Sequence, residues 1–166
     1  MKEVVWVFGT SASGKETFIK NVPDDKLLLE KLGWSNKTLA ACLESLEHIG
    51  QFKNDPAINL RERILERVPI LLNTAEVVLI KWQFVDSEAS RPQRLRELTP
   101  QAKQRIILLE TPKPELVERL AKKGWWHNYG NEESFIEAEL VMVADVVKQL
   151  IGDFEVAAVD GGTKQS

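Results

Sequence analysis

The segment Gly9-Thr10-Ser11-Ala12-Ser13-Gly14-Lys15 constrains this chain more than any other, because of what stands on either side of it. Before it runs Val4-Val5-Trp6-Val7-Phe8, a continuous apolar stretch with little alternation, as a strand buried on both faces of a parallel sheet requires. After it comes Glu16-Thr17-Phe18-Ile19-Lys20, which reads as the opening of a helix. A strand that passes through a glycine-bounded turn into a helix brings successive backbone N–H groups together at the positive end of the helix dipole. Such a turn is suited to an anion, and Lys15 can reach the far end of an extended one.

The spacing from Gly9 to Lys15 is that of the first seven positions of the P-loop, or Walker A, pattern, whose backbone cradles the phosphates of a nucleoside triphosphate. A serine-rich turn with an exposed lysine is the plain alternative; the buried strand before and the helix after select phosphate binding. Gly9, Thr10, Ser11, Ala12, Ser13, Gly14, Lys15, Glu16 and Thr17 are therefore the expected nucleotide-contacting residues. The pattern continues with Ser or Thr after the lysine, for the magnesium shell, whereas here Glu16 takes that place and Thr17 follows. A carboxylate beside a polyphosphate is repulsive unless it faces solvent or holds magnesium through water.

Other apolar runs are read as strands: Lys26-Leu27-Leu28-Leu29, which suits a helix equally well, then Glu76 to Trp82, Arg105 to Leu109, and Glu155 to Val159. Helical spacing appears between them. Leu60, Ile64, Val68 and Leu71 share one face, with Pro69 expected to kink or divide the helix. Thr111-Pro112 supplies an N-cap and a first-turn proline ahead of Leu116, Val117, Leu120 and Ala121, and Gly124 ends that helix. Ile136, Leu140, Val143, Val147 and Leu150 mark another, stopped by Gly152. The neighbours of Cys42 also suggest a helix. Strands alternating with helices predict a single α/β domain over residues 1–166: a P-loop NTPase fold with a doubly wound parallel sheet of about five strands and helices on both faces.

With 43% hydrophobic residues the chain can bury a real core, and a net charge of -3 gives no reason to expect a membrane or a general nucleic-acid partner. The basic residues Arg91, Arg94, Arg96, Lys103 and Arg105 form only a local stretch. The single cysteine, Cys42, cannot form an internal disulfide, and the first apolar run is too short for a signal peptide or a membrane span, so a cytoplasmic protein is expected. Two histidines, His48 and His127, are too few for a metal site.

Gly14-Lys15-Glu16-Thr17, with its hydroxyl one place late, resembles the adenylate-kinase branch of the small P-loop kinases. In that family this threonine contacts phosphate, which makes Thr17 the candidate on the magnesium side. Within Pro114 to Lys123 the resemblance implies adenine stacking for Arg119 and stabilisation of the transferred phosphoryl group for Lys123, where the family usually has Arg. A solvated charged helix face is the other reading of these cations. Val159-Asp160-Gly161-Gly162-Thr163-Lys164 is similar to the family's last strand and its loop beside the adenine, placing Gly161 and Gly162 there.

The acceptor side departs from the pattern. Lys81-Trp82-Gln83-Phe84-Val85-Asp86 stands where adenylate kinases have Asp-Gly-Phe-Pro-Arg. Asp86 is a candidate for an acceptor hydroxyl or for magnesium, or else a turn residue, and Trp34 and Trp82 are expected near the acceptor. Residues 124–131, with Trp125, Trp126, His127 and Tyr129, fall where these kinases carry a lid; capping the core is the alternative. The resemblance implies an ATP- and Mg2+-dependent phosphotransferase acting on a small-molecule or nucleotide acceptor. The alternative is a module that binds or hydrolyses the nucleotide without an acceptor.

Overall fold

The computed structural model describes residues 2–10, 12–42, 60–82, 91–123, 131–152 and 154–160, without the side chains of 60–64, 91–92 and 123. Five parallel strands form one sheet: β1 (Glu3–Phe8), β2 (Leu39–Cys42), β3 (Val77–Lys81), β4 (Lys103–Glu110) and β5 (Glu155–Asp160), in the order β2-β3-β1-β4-β5. The chain leaves β1 for β2 on one side, returns to β3, and then crosses β1 to β4. The strand order therefore reverses at β1, and the crevice beyond its carboxyl end is where open α/β sheets bind ligands.

Every residue of β1 is buried, which explains its unbroken apolar sequence. Its alternate side chains feed two cores. Val5 and Val7 join Val77, Leu79, Ile107 and Leu109 under α1 (Lys15–Asn21) and α2 (Lys26–Leu32), with Phe18, Ile19, Leu32 and Trp34 packed on them. Val4, Trp6 and Phe8 join Val78, Ile80 and Ile106 on the opposite face. Leu65 and Val68 of α3 (Leu60–Leu71), Leu95 of α4 (Arg91–Leu98) and Val143, Val146 and Leu150 of α6 (Glu132–Leu150) cover that face. The helix between them, α5 (Lys113–Lys123), packs Leu116 and Leu120 on Phe135 and Ile136 of α6 in a smaller cluster. Lys113 reinforces this pairing with ion pairs to Glu133 at 3.2 Å and Glu137 at 2.5 Å.

The second expected strand and the expected helix at Cys42 are both corrected. Lys26-Leu27-Leu28-Leu29 opens α2, because Asp25 caps it by accepting from the Leu28 amide at 3.0 Å and Gly33 ends it at φ 78°. The second strand is instead Leu39–Cys42. There pairing with β3 from Leu39↔Val77 to Cys42↔Ile80 overrides the helical preference of two alanines. Pro69 does not divide its helix; α3 ends two residues later, so the proline sits in the last turn.

The three described indoles, Trp6, Trp34 and Trp82, are interior. Trp6 donates to Gln104 Oε1 at 2.9 Å and meets Trp82 edge-on, with ring centroids 5.3 Å apart. Trp34 donates to Glu3 Oε2 at 3.1 Å, beside the Glu3–Arg105 ion pair at 3.1 Å, and Arg105 also donates to the Leu32 carbonyl. Glu3 begins β1, so Trp34 stands at the end of the sheet away from the glycine loop. Its expected place near an acceptor is overturned, whereas Trp82 is buried at the carboxyl end of β3, its amide on the Val7 carbonyl.

Candidate active site

The loop after β1 has the shape its sequence implies. A Cβ on Gly9 would meet Ser13 Oγ at 2.7 Å and the Leu109 carbonyl oxygen at 3.1 Å, so the loop closes on itself only with glycine there. Ala12 and Gly14 have φ values of 65° and 94°. The left-handed conformation suits Gly14 and costs Ala12 on the order of 1 kcal/mol. The Ser13 amide donates to the Thr10 carbonyl at 3.2 Å, and the Gly14 carbonyl accepts the first bond of α1 from Phe18 at 2.8 Å.

Lys15 is buried and folds back over this loop, its Nζ donating to the carbonyls of Thr10 at 2.8 Å and Gly9 at 3.2 Å. The two carbonyls satisfy part of the buried ammonium's hydrogen-bonding need. Ser13 is fully buried, and its hydroxyl has no hydrogen-bond partner among the described residues. A glycine that a Cβ would crowd, a buried lysine and an unmatched buried hydroxyl fit a polyphosphate cradle.

Glu16 is half exposed, and both of its carboxylate oxygens are engaged, Oε1 with Lys20 at 2.8 Å and Oε2 with Lys81 at 3.2 Å. Hydrogen bonds from Lys20 and then Lys81 hold its carboxyl down at about 2. Lys81 ends β3 opposite Val7, so this pair ties the first turn of α1 to the strand beside β1. Thr17 is exposed on α1. Among the described residues no group of three His, Cys, Asp or Glu side chains could hold a metal ion. The exposed Thr17 hydroxyl is the described candidate donor to a magnesium ion.

Two residues reach the loop from the far side of the sheet. Arg119 donates to the Ala12 carbonyl at 3.0 Å and pairs with Glu115 at 2.6 Å, so the structure places it on the phosphate loop itself. Thr111 donates to the Ser13 carbonyl at 3.2 Å. Its expected role as an N-cap is overturned: the Pro112 carbonyl accepts the first amides of α5, from Glu115 and Leu116. The spacing of Thr111 from β4 carries no sign of this contact, which arises only when β4 pairs with β1.

The described site therefore unites Gly9, Thr10, Ala12, Ser13, Gly14, Lys15, Glu16 and Arg119. Ser11, Asp86, Gly161, Gly162, the side chain of Lys123 and lid residues 124–130 lie outside the described residues. Lys122 is exposed, 3.7 Å from Glu118. In the local basic stretch, the four cations whose side chains are described all have partners. Arg94 pairs with Glu97, Lys103 with Glu155 and Arg105 with Glu3, while Arg96 lies over the Phe154 ring. No described helix is long and apolar enough to cross a membrane. An open cleft of about 430 Å³, lined in part by Lys2, Leu72, Leu98 and Thr99, lies at the other end of the sheet, away from Lys15.

No protein-family model matches the chain, and no curated protein matches it in sequence. Solved structures do. A gluconokinase from Sinorhizobium meliloti aligns over 99% of this chain and 85% of its own at 20% identity, with a TM-score of 0.53. A shikimate kinase from Bacteroides thetaiotaomicron covers 94% of this chain and 85% of its own at 12% identity, TM-score 0.52. A deoxyadenosine kinase from M. mycoides, bound to dCTP, covers 95% and 90% at 16% identity, TM-score 0.51. The fold is that of the small P-loop kinases, borne on a sequence far diverged from these three.

Proposed function

We propose that the chain is an ATP-dependent phosphotransferase that moves the terminal phosphoryl group to a small-molecule or nucleotide acceptor. The observation that carries this is Lys15, buried with its ammonium turned into the glycine loop at the point where the strand order reverses. Its position at the carboxyl end of β1 is the one such folds give to a ligand. The three kinases of the same fold support the reading of a transferase, and their printed substrates differ enough to leave the acceptor class open.

Phosphoryl transfer asks a protein for little covalent chemistry and much positioning. The loop amides would hold the phosphates, and Lys15 would leave its carbonyl partners for the terminal phosphate oxygens, neutralising charge where it develops. Bound magnesium would supply further neutralisation, with Thr17 nearest it in sequence. Lys123, at the end of α5, is proposed on the resemblance for the transferred group, and Asp86, beyond β3 where the resemblance ends, is proposed for an acceptor hydroxyl or magnesium. ATP, Mg2+ and a cytoplasmic setting belong to the same proposal.

The engagement of both Glu16 oxygens by lysines, where the pattern has a magnesium hydroxyl, favours a second reading: a module that binds or hydrolyses the nucleotide without an acceptor. One experiment separates the two. ADP release from ATP and Mg2+ is measured across a panel of sugars, polyols and nucleosides beside a control without acceptor. Release that depends on an acceptor and disappears in Lys15→Ala supports the transferase; equal release without acceptor supports the hydrolysing module. Lys15→Ala should weaken ATP by roughly 10- to 100-fold, the worth of a charged hydrogen bond. Unchanged affinity there would end the phosphate-site reading.

A further inference from the structure

Ala12 and Ser13 are consecutive in the loop, and the carbonyls of both accept from one distant place. Ser13 O accepts from Thr111, 98 positions along the chain, and Ala12 O from Arg119, 107 positions along. Thr111 stands in the passage between β4 and α5 and Arg119 in α5 itself, and neither bond belongs to that helix's own backbone ladder. A trans peptide is planar, so its C=O and the following N–H point in opposite directions. Holding the Ser13 carbonyl toward Thr111 aims the Gly14 N–H away from that junction. Holding the Ala12 carbonyl toward Arg119 aims the Ser13 N–H back across the loop, where it reaches the Thr10 carbonyl at 3.2 Å. Ala12 needs such a hold, since its φ of 65° is one that alanine leaves when free. Arg119 is itself steadied by Glu115 at 2.6 Å.

We infer that Thr111 and Arg119 form a clasp that sets the phosphate loop before any ligand arrives, and that Thr111 is a positioning residue for phosphate binding. This rests on the P-loop reading above. Arg119 acts here through the loop backbone rather than through a base. The clasp therefore serves any ligand that carries the polyphosphate, with or without a nucleoside.

Inorganic triphosphate and ATP, each with Mg2+, are the two probes, and binding is measured by calorimetry on the full chain. Thr111→Val removes the donor and keeps the shape, and should weaken both probes by the same factor, about five-fold for one lost hydrogen bond. Thr111→Ser, which keeps the hydroxyl, should restore both affinities, and Thr111→Ala substitutes for the valine variant should that fail to fold. Arg119→Met should likewise weaken triphosphate and ATP together. Three results would overturn the inference: full affinity in Thr111→Val, equal weakness in the valine and serine variants, or an Arg119→Met variant that loses ATP affinity while binding triphosphate normally. Lys15→Ala separates the two levels. If it leaves triphosphate binding intact, the phosphate site itself is wrong; if only Thr111 and Arg119 prove indifferent, the clasp alone falls.

Discussion

Replacing Gly9 by alanine tests the loop with a single methyl group. Gly9 is not among the glycines with positive φ, so alanine meets no backbone penalty, and the whole effect must come from crowding. The new Cβ would lie 2.7 Å from Ser13 Oγ, 3.2 Å from Ser13 Cβ and 3.1 Å from the Leu109 carbonyl oxygen. The hydroxyl, fully buried, can rotate away only at a cost. The Leu109 carbonyl belongs to β4 and cannot, so the loop must shift by a few tenths of an ångström. Overpacking of this kind costs about 2 kcal/mol, which lowers the melting midpoint of a chain this size by roughly 4–8 °C. Thermal unfolding followed by circular dichroism measures that cost, and calorimetric titration with ATP and Mg2+ measures the accompanying loss of affinity. Adding Ser13→Ala removes the shortest contact and leaves the other two, so the double variant should recover about half of the lost stability. A Gly9→Ala protein with unchanged midpoint and affinity, or a double variant with no recovery, would refute the steric reasoning.

Because Glu16 is committed to Lys20 and Lys81, Glu16→Gln should weaken nucleotide binding less than Thr17→Val; the reverse order in titrations with ATP and Mg2+ would give Glu16 a part in holding the metal. Its carboxyl sits at about 2 against an ordinary 4.5, so the stabilisation it gives is present above pH 4.5 and fades as pH falls toward 2. The pair is exposed, so acid unfolding curves of Glu16→Gln and the parent should differ only slightly, and should converge near pH 2. Burial pushes the Cys42 thiol up to about 11, against a smaller opposing pull from Arg67. Iodoacetamide at pH 8 should therefore label the thiol far faster in urea than in the native protein, and rapid native labelling would contradict its burial. The sign of the linked stability follows: this contribution is intact below the unfolded thiol's pKa of about 8.5 and is lost as pH rises toward 11.

Features fixed by local pattern were legible in the sequence. β1 and β3 announce themselves as apolar runs because a parallel sheet buries both faces, β4 and the edge strand β5 are legible as apolar runs although less deeply buried, and Gly9 and Gly14 stand where a side chain would crowd or strain the loop. The first misreading came where pattern and context compete. Leucines beside Asp25 and Gly33 make a capped helix, while Leu39-Ala40-Ala41-Cys42 is a strand only because β3 lies next to it. The commitment of Glu16 to Lys81 and of Thr111 to Ser13 was invisible for the same reason, since each joins segments brought together by the sheet. The departure at Glu16 was legible as a departure; its resolution needed the position of β3.

The central place of β1 also has a consequence for how the protein comes into being. Its partners begin at Val77 and Lys103, so the strand that carries the phosphate loop is made before either of them and fully paired only after both. Folds governed by such distant pairings form slowly, because the chain must close long loops before any contact rewards it. On a ribosome, Gly9 to Lys15 would emerge ahead of β4 and the turn at Thr111 and remain unable to take its bound shape until they had followed. Capture of a nucleotide would then mark a chain already folded past Arg119, and fragments ending before β4 would carry the whole motif yet bind nothing.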